Sequence, residues 1–414
     1  MYEQNEKKQQ TDKHKKIFLC FPDNLDQLCF FANQQNGLNA NNVEIYFMTV
    51  DLAVYEEMYS RNMANIMLIK KDTKPWHEAD LSFSREFITK QIEEKDAAVL
   101  YTSVYNAVEK FNKYHRIDLL YFWGGSRVLE LAVAQYADDH NIPKAYFELA
   151  NIKGKTFLDK QGANAKSWLY EHLEKLDEYH FTDEEYETWR EQYLETNFTN
   201  HVVKQAVSFT HLKWKYGLLS RLGFIYTGLK IRELDLLKKM RSFLTAKFGE
   251  KIVFDKVNLL NTKYYFFPMQ VSNDMQIVLN SDLTVFEGLE KAVKMSKKDG
   301  VPLLVKLHPA EPYLSVIERL LVLRKQYGFK LVEDNTFNVI ANADKVITIN
   351  STVGLEAMII GRPVEFLGRS FYKKFDKERL KNYIMGYLLD LDIFSDREFT
   401  DKEIVYLLRR LEQM

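Results

Sequence analysis

The feature that most constrains the fold is an alternation of short apolar runs with amphipathic helical stretches, which occurs twice along the chain. The first series starts at Lys16 and contains the runs KIFLCF, VEIYFMTV, NIMLIKK, DLLYFWGG and KAYFELAN. The second starts near Lys263 and contains KYYFFPMQ, PLLVKLHP, FKLVED, KVITIN and PVEFLG. Short apolar runs separated by helices are typical of buried strands in a mainly parallel sheet. The sequence therefore predicts an α/β fold with two Rossmann-like halves.

Chain length supports the same division. A chain of 414 residues exceeds what one ordinary core accommodates, so two domains and a cleft are expected. We expect a disordered basic tail over residues 1–15, a first domain over 16–255 and a second domain over 256–370. Helices are expected near 96–115, 283–297, 313–327 and 353–360. Residues 371–414 have helical spacing, and we expect them to cross back to the first domain.

The region 177–250 is charged and aromatic and has no strand pattern, which predicts a helical insert. Its stretch HLKWKYGLLSRLGFIYTGLKIRELDLLKKMRSFLTAKFG is locally basic. Such a composition can lie on an anionic membrane surface. The plainer interpretation, which we favour, is an insert that packs on the first domain with its basic face in solvent.

Composition excludes several classes of protein. The 57 basic and 58 acidic residues nearly balance and 46% of residues are hydrophobic, which argues against a disordered chain and against a nucleic-acid partner. The chain has two cysteines, Cys20 and Cys29, which are too few for a disulfide framework. This low number fits a protein of a reducing compartment. The polar N-terminus and the lack of a long apolar run predict a cytoplasmic location. The acidic stretch 137–140 is interpreted as a solvated helix end, so no metal site is expected.

The motif KLHPAEP is the first candidate site. A strand that runs into His308 and Pro309 places an imidazole at the sheet edge where α/β folds bind ligands. His308 can donate a hydrogen bond to a phosphate or protonate a leaving group. A histidine at a strand end can also be purely structural.

The motif INSTVGLEAMIIGRPV is the second candidate site. Asn350, Ser351 and Thr352 open a helix, where backbone N–H groups and small side chains suit a phosphate. Ser or Thr at this position can equally be an N-cap, and the two interpretations are compatible. Glu356 follows one turn later on the side of the helix expected to be exposed, where a carboxylate can accept both hydroxyls of a ribose.

Together these motifs resemble the donor-binding half of GT-B glycosyltransferases, especially the capsule polysaccharide biosynthesis group that uses CMP-Kdo. Residues 146–167 resemble that group's Phe-Glu segment, and residues 264–277 resemble its Phe-Pro-x-Gln segment. The similarity extends over residues 146–368, while the first 140 residues match only in general pattern. It implies a GT-B fold and a metal-independent enzyme.

The resemblance also implies roles for individual residues. Asp274 would be the nucleophile, and Glu148 the acid/base, with Asp159 as its rival. Gln270 and Asn164 would position a carboxylate or the sugar, and Glu356 would hold the ribose. The CMP group would be held by Lys306, His308, Pro309, Asn350, Ser351 and Thr352. Without the resemblance, Glu148 is interpreted as a loop cap, Asp159 as the organiser of a turn and Asp274 as a helix cap.

The implied activity is transfer of Kdo from CMP-Kdo, with retention and a covalent adduct, to a capsule, O-antigen or similar polysaccharide or glycolipid. One alternative is an inverting enzyme that uses CMP-sialic acid. Another is a teichoic-acid-type phosphotransferase that uses a CDP-alcohol, although Asn350 stands where those enzymes tend to be acidic. A third is a non-catalytic scaffold for capsule assembly. The resemblance is also compatible with a peripheral contact with the inner membrane or with a capsule-assembly complex.

Overall fold

The computed structural model describes residues 15–72, 77–150, 152–199, 213–231, 252–272, 274–309, 311 and 313–414. The expected tail therefore lies outside the described residues, apart from Lys15. The strands are β1 (Lys16–Cys20), β2 (Val43–Thr49), β3 (Ile66–Leu68), β4 (Leu119–Trp123), β5 (Lys144–Leu149), β6 (Thr156–Asp159), β7 (Tyr265–Pro268), β8 (Leu303–Lys306), β9 (Lys330–Leu331), β10 (Lys345–Thr348) and β11 (Val364–Phe366).

Helices occupy most connections between these strands. In chain order they are α1 (Leu25–Ala32), α2 (Gln35–Ala40), α3 (Leu52–Ser60), α4 (Arg85–Ile88), α5 (Glu94–Tyr114), α6 (Val128–His140), α7 (Trp168–Glu171), α8 (Asp183–Thr199), α9 (Lys213–Thr227), α10 (Met275–Asn280), α11 (Val285–Asp299), α12 (Leu314–Tyr327), α13 (Thr336–Asn342), α14 (Thr352–Ile360), α15 (Lys377–Asn382) and α16 (Asp401–Glu412). No helix of the described part of the chain is long and apolar enough to cross a membrane.

Two separate sheets organise the chain. The first has the order β3-β2-β1-β4-β5-β6, in which β6 pairs antiparallel with β5 and the other pairs are parallel. The second is parallel, with the order β11-β10-β7-β8-β9. Both are doubly wound, and the chain changes direction between β1 and β4 and between β7 and β10. The predicted α/β class with two Rossmann-like halves in a GT-B arrangement is confirmed.

The C-terminal part of the chain returns to the first sheet. Leu391, Phe399, Ile404 and Leu407 are buried in one apolar cluster with residues of β1, β2, β4 and β5. The backbone N–H of Phe399 donates to the carbonyl of Asn33 at 2.9 Å. The first core is therefore completed by residues nearly 400 positions away along the sequence.

The region predicted as a helical insert packs in two directions. Helix α9 lies against α3 of the first half, as expected. Helix α8 instead packs on the second half, where Tyr193 and Phe337 share a core cluster. The Arg190 guanidinium donates to the carbonyls of Ile359 and Ile360, at the end of α14. The expectation that the insert packs on the first domain is therefore wrong for α8. Residues 200–212 and 232–250 of the insert lie outside the described residues.

Candidate functional site

The site begins at the point where the second sheet changes direction. Gln270 follows β7 and Asn350 follows β10, so parallel neighbouring strands end with these two amides. The Gln270 side chain donates to Asn350 Oδ1 at 3.0 Å, and the Asn350 backbone N–H donates to Gln270 Oε1 at 3.3 Å. Both residues are buried. Asn350 also donates to the Asn280 carbonyl at 3.3 Å, so the pair fixes the two loops to each other.

Helix α14 starts directly after Asn350. Ser351 is its N-cap, and its hydroxyl accepts the Val353 backbone N–H at 3.2 Å. The N-cap interpretation therefore holds for Ser351, while Thr352 is the first helical residue. A Cβ at Gly354 would lie 2.3 Å from the Phe366 ring, so the helix start can approach β11 this closely only with glycine.

Lys306 and Glu356 influence each other electrostatically. Lys306 ends β8 and donates to the Thr336 hydroxyl at 2.9 Å and to the Asp334 carbonyl. Burial raises the pKa of Glu356 to about 7, and the positive charge of Lys306 opposes the rise. Glu356 was expected on an exposed face, and this is wrong because the side chain is partly buried. Helix α8 is close by, and the charge of Glu356 adds to the burial that raises the pKa of Tyr193.

His308 lies on the loop after β8 and Asp274 on the loop after β7. Partial burial lowers the pKa of His308, and the negative charge of Asp274 works against this. Asp274 directly precedes α10, and its backbone N–H donates to the Val271 carbonyl at 2.9 Å. Pro309 continues the His308 turn in an exposed position.

Glu311 ties these two loops together. Its carboxylate accepts the Ser272 backbone N–H at 2.8 Å and the Ser272 hydroxyl at 3.1 Å. Its own N–H donates to the His308 carbonyl at 3.0 Å. Glu311 is part of the motif KLHPAEP, but no role was predicted for it. A carboxylate two residues after a His-Pro turn was the available signal.

Glu148 approaches this group from the first sheet. It lies in β5, one residue before the end of that strand, and accepts a hydrogen bond from the Trp123 indole at 3.2 Å and from the Leu149 N–H at 2.9 Å. Burial raises the pKa of Glu148 to about 6, with a smaller contribution from the negative charge of Asp274 and an opposing one from Arg85. Asp274 therefore influences both Glu148 and His308, and these three predicted residues form one group.

A glycine loop after β4 makes room for Glu148. Gly124 has φ +68°, and a Cβ there would lie 3.3 Å from Glu148 Oε2. Glu130 Oε2 accepts three consecutive backbone N–H groups, from Gly125 at 2.9 Å, Ser126 at 2.7 Å and Arg127 at 2.9 Å. No role was predicted for Trp123 or Glu130; the available signal was the glycine pair directly after a strand, which is typical of a specialised turn.

Asp159 and Asn164 differ in their surroundings. Asp159 is buried, and its carboxylate accepts hydrogen bonds from five groups of the protein: the backbone N–H groups of Gln161, Gly162, Trp168 and Leu169 and the hydroxyl of Tyr387. This geometry favours the interpretation of Asp159 as the organiser of its loop. Asn164 has φ +56° and lines a small pocket with Asn350, Arg369 and residues 370–372 of the second half.

No cluster of three or more His, Cys, Asp or Glu side chains suited to a metal ion occurs among the residues that the structure describes. Asp139, in the acidic stretch 137–140, accepts the Tyr105 hydroxyl at 2.6 Å and the Gln135 amide at 2.8 Å.

Comparison with known proteins gives one family match and several similarities. A family model described as capsule polysaccharide biosynthesis protein matches residues 118–375. The capsule polysaccharide export protein KpsS of Escherichia coli is 31% identical over 129 residues, which are 28% of this chain and 32% of that protein. The chain thus matches about a third of the length of this curated relative.

Two solved structures resemble the chain at low identity. The β-Kdo 2,4 transferase of Thermosulfurimonas dismutans KpsC has a TM-score of 0.43 and 15% identity, over 70% of this chain and 87% of that chain. The β-Kdo 2,7 transferase of the same KpsC has a TM-score of 0.40 and 12% identity, over 96% of this chain and 100% of that chain.

Proposed function

The chain belongs to the capsule polysaccharide biosynthesis protein family, and on that premise we propose that it is a retaining β-Kdo glycosyltransferase. It would move Kdo from CMP-Kdo to a polysaccharide or glycolipid acceptor through a covalent adduct on Asp274. The donor would lie mainly against the second sheet, and the acceptor against the first.

The observation that carries the proposal is the electrostatic influence of Asp274, from the second half, on Glu148 of the first sheet. Glu148 lies near the end of β5 in the first sheet and Asp274 on the loop after β7 in the second, yet the charge of Asp274 adds to the burial that raises the pKa of Glu148. Two carboxylates within electrostatic reach of each other can divide the work of a double displacement, one as nucleophile and the other as acid/base.

The second sheet supplies features suited to the CMP part of the donor. Ligands of doubly wound sheets bind at the switch point, which here lies between the Gln270 and Asn350 loops. The start of α14 provides backbone N–H groups, and Lys306 provides a positive charge. Glu356 beside Lys306 provides a carboxylate for the ribose hydroxyls. Fixed donors of this kind stabilise the charge that develops on a departing phosphate.

The proposed reaction has two steps. In the first, a carboxylate oxygen of Asp274 bonds to the anomeric carbon of Kdo. The bond from that carbon to the phosphate oxygen breaks, and CMP leaves with the electron pair while His308 donates a hydrogen bond to it. In the second, an acceptor hydroxyl attacks the same carbon, its proton passes to Glu148, and the Asp274 carboxylate is released. Two inversions at one carbon give net retention.

The test is intact-mass measurement of the full chain incubated with a CMP-Kdo-generating system and no acceptor. We expect a mass increase of one Kdo in the wild type, a larger adduct fraction in Glu148→Gln, and no adduct in Asp274→Asn. Glu148→Gln should accumulate the adduct because its breakdown needs a base. Asp282→Asn is the matched control, since this aspartate is 82% exposed and pairs only at the surface with Arg369.

The remaining outcomes separate the alternatives. If no variant carries an adduct but CMP is released when a glycan acceptor is present, double displacement is overturned in favour of an inverting enzyme. If neither adduct nor CMP release occurs with any acceptor, the scaffold interpretation replaces the enzyme.

A further inference from the structure

Helix α9 has its polarity inverted relative to an ordinary surface helix. The side facing α3 carries small or polar residues, namely Ser220, Gly223 and Thr227, all of which are buried. The opposite side carries Leu218, Leu222 and Ile225, which are 49%, 38% and 73% exposed. Surface helices normally present their polar face to water and bury the apolar one.

The exposed apolar surface extends to both flanks of this stripe. Phe224 is 38% exposed and Tyr226 is 59% exposed. Single exposed apolar residues are common on proteins, but five within nine consecutive residues form a continuous patch of the kind that marks an interaction site. We call Leu218, Leu222, Phe224, Ile225 and Tyr226 the α9 patch.

Specific contacts hold α9 in this orientation. The Ser220 hydroxyl donates to the Asp51 carboxylate at 2.6 Å, and the Lys71 N–H donates to the Thr227 carbonyl at 2.7 Å. A Cβ at Gly223 would lie 3.0 Å from Leu52 Cβ, so glycine permits the close approach of α9 to α3. Rotating α9 to bury its leucines would break these contacts. The outward direction of the patch is therefore built into the fold.

Basic side chains lie beside the α9 patch among the residues that the structure describes. The Lys70 ammonium lies 4.1 Å from the centre of the Tyr226 ring, and Arg221 lies on α9 itself. Two carboxylates of the first half are engaged by this region, since Asp51 accepts from Ser220 and Asp96 pairs with Lys230 at 3.4 Å.

From this arrangement we propose that the α9 patch binds the surface of an anionic lipid bilayer. Leu218, Leu222 and Ile225 would enter the boundary between head groups and acyl chains, while Lys70 and Arg221 would contact lipid phosphates. Apolar residues edged by basic ones match such a surface in both polarity and charge. A second copy of the chain is disfavoured, because it would bring two positively charged patches face to face.

Docking in this way places the site close to the bilayer. Asp51, which holds α9, directly follows β2, and Glu148 lies at the end of β5. Both belong to the carboxyl-terminal edge of the first sheet, since β1, β2, β4 and β5 are parallel. The edge that carries Glu148 therefore turns toward the lipid. The inference does not depend on the proposed activity, and its test uses no donor or acceptor.

The experiment is co-sedimentation of the full chain with vesicles of phosphatidylcholine alone or of phosphatidylcholine mixed with phosphatidylglycerol. We expect binding to the mixed vesicles that weakens as salt is added. Ile225→Asp should weaken it by about tenfold or more, because one apolar side chain is lost from the boundary and a like charge is added. Val322→Asp is the matched control, since Val322 is 62% exposed on α12 of the second half.

A charge variant keeps the test independent of any folding defect in Ile225→Asp. Arg221→Glu changes a partly exposed side chain on the same helix and should also reduce binding to the mixed vesicles. The proposal is overturned if the wild type does not bind, or if Ile225→Asp and Arg221→Glu bind as the wild type does. It is also overturned if light scattering shows a wild-type dimer that Ile225→Asp converts to a monomer.

Discussion

Glu148 shows how local surroundings set the chemistry of a single side chain. Burial raises its pKa from the ordinary 4.5 to about 6, while the Trp123 indole and the Leu149 N–H favour the ionised form and limit the rise. At pH 7 roughly nine in ten Glu148 side chains would then be ionised. Because this pKa lies near neutral pH, Glu148 can accept a proton at pH 7 and release it again at a small cost in free energy.

The first prediction concerns the pH dependence of acceptor transfer. In the proposed mechanism the carboxylate of Glu148 is the active form, so the rate should rise with pH through a midpoint near 6. Trp123→Phe removes a hydrogen bond that favours the carboxylate, so the midpoint should move to higher pH. The measurement is kcat against pH for the wild type and Trp123→Phe. A midpoint that stays in place or falls would contradict the role of the indole.

The ionisation of Glu148 also affects the stability of the fold, and stability should change with pH in the opposite direction to the rate. The folded-state pKa of Glu148 lies above the unfolded one, so the folded state favours the neutral carboxyl group. Its contribution to stability is therefore fully present below pH 4.5 and is lost as pH rises through about 6. Activity and stability thus respond oppositely to this one group, as is common for buried catalytic carboxyls.

The second prediction concerns Glu356. A carboxylate that holds the ribose acts equally in the ground state and the transition state, so its loss should raise KM and leave kcat nearly unchanged. We expect Glu356→Gln to raise KM for the CMP donor by about tenfold. Glu365→Gln, in β11, is the control and should not change KM. A fall in kcat with KM unchanged would show that Glu356 acts on the reacting bond instead.

Sequence reasoning found the chemical groups of the site more readily than the residues that position them. His308 was singled out from its motif, and Glu148 and Asp274 from the family resemblance; in the structure the charge of Asp274 acts on both of the other two. Trp123 and Glu311 received no role because they act through contacts with residues from other loops. Glu356 was expected to be exposed because its helix was considered alone, without the nearby α8.

At the scale of elements, strand β6 is the clearest case that the sequence analysis missed. It has four residues, Thr156–Asp159, and pairs antiparallel with β5. The Thr156 N–H also donates to the Leu389 carbonyl, and the Leu389 N–H donates to the Thr156 carbonyl, both at 2.9 Å. A strand this short is stabilised by partners far away along the sequence, which local periodicity cannot reveal. Helix α13, with seven residues, was missed for the same reason of length.

The third prediction tests the loop that follows β6. Asp159 accepts four backbone N–H groups and one hydroxyl, so Asp159→Asn would place an amide NH2 among donors. We expect the free energy of unfolding to fall by about 3 kcal/mol. Tyr387→Phe removes one of the five bonds and should cost about 1 kcal/mol. Chemical denaturation measures both.

A contrary result for Asp159 would reopen its chemical role. If Asp159→Asn folds with unchanged stability but loses transfer activity, the residue would act in the reaction rather than in the loop. Glu148 would then need to be compared with it as the second carboxylate.

At the scale of the whole molecule, the C-terminal return makes the two halves depend on each other. Ile404 of α16 is fully buried in the first core. It packs so closely on Gly37 of α2 that a Cβ at Gly37 would lie 2.5 Å from Ile404 Cγ1. The segment that joins this helix to the second sheet also contacts β6 through Leu389. A defect in α16 should therefore weaken the first half without touching any residue of the site.

The fourth prediction follows from this arrangement. Ile404→Ala leaves a cavity that packed neighbours cannot fill, so the free energy of unfolding should fall by about 2 to 5 kcal/mol. Val405→Ala, one position along the same helix but only partly buried, should cost about 1 kcal/mol or less. Denaturation followed by Trp fluorescence and by circular dichroism should give coincident curves, because α16 belongs to a core shared by distant parts of the chain. Equal losses for the two variants would mean that α16 adds little to the first core. Two separated transitions would mean that the halves unfold independently despite the return of the chain.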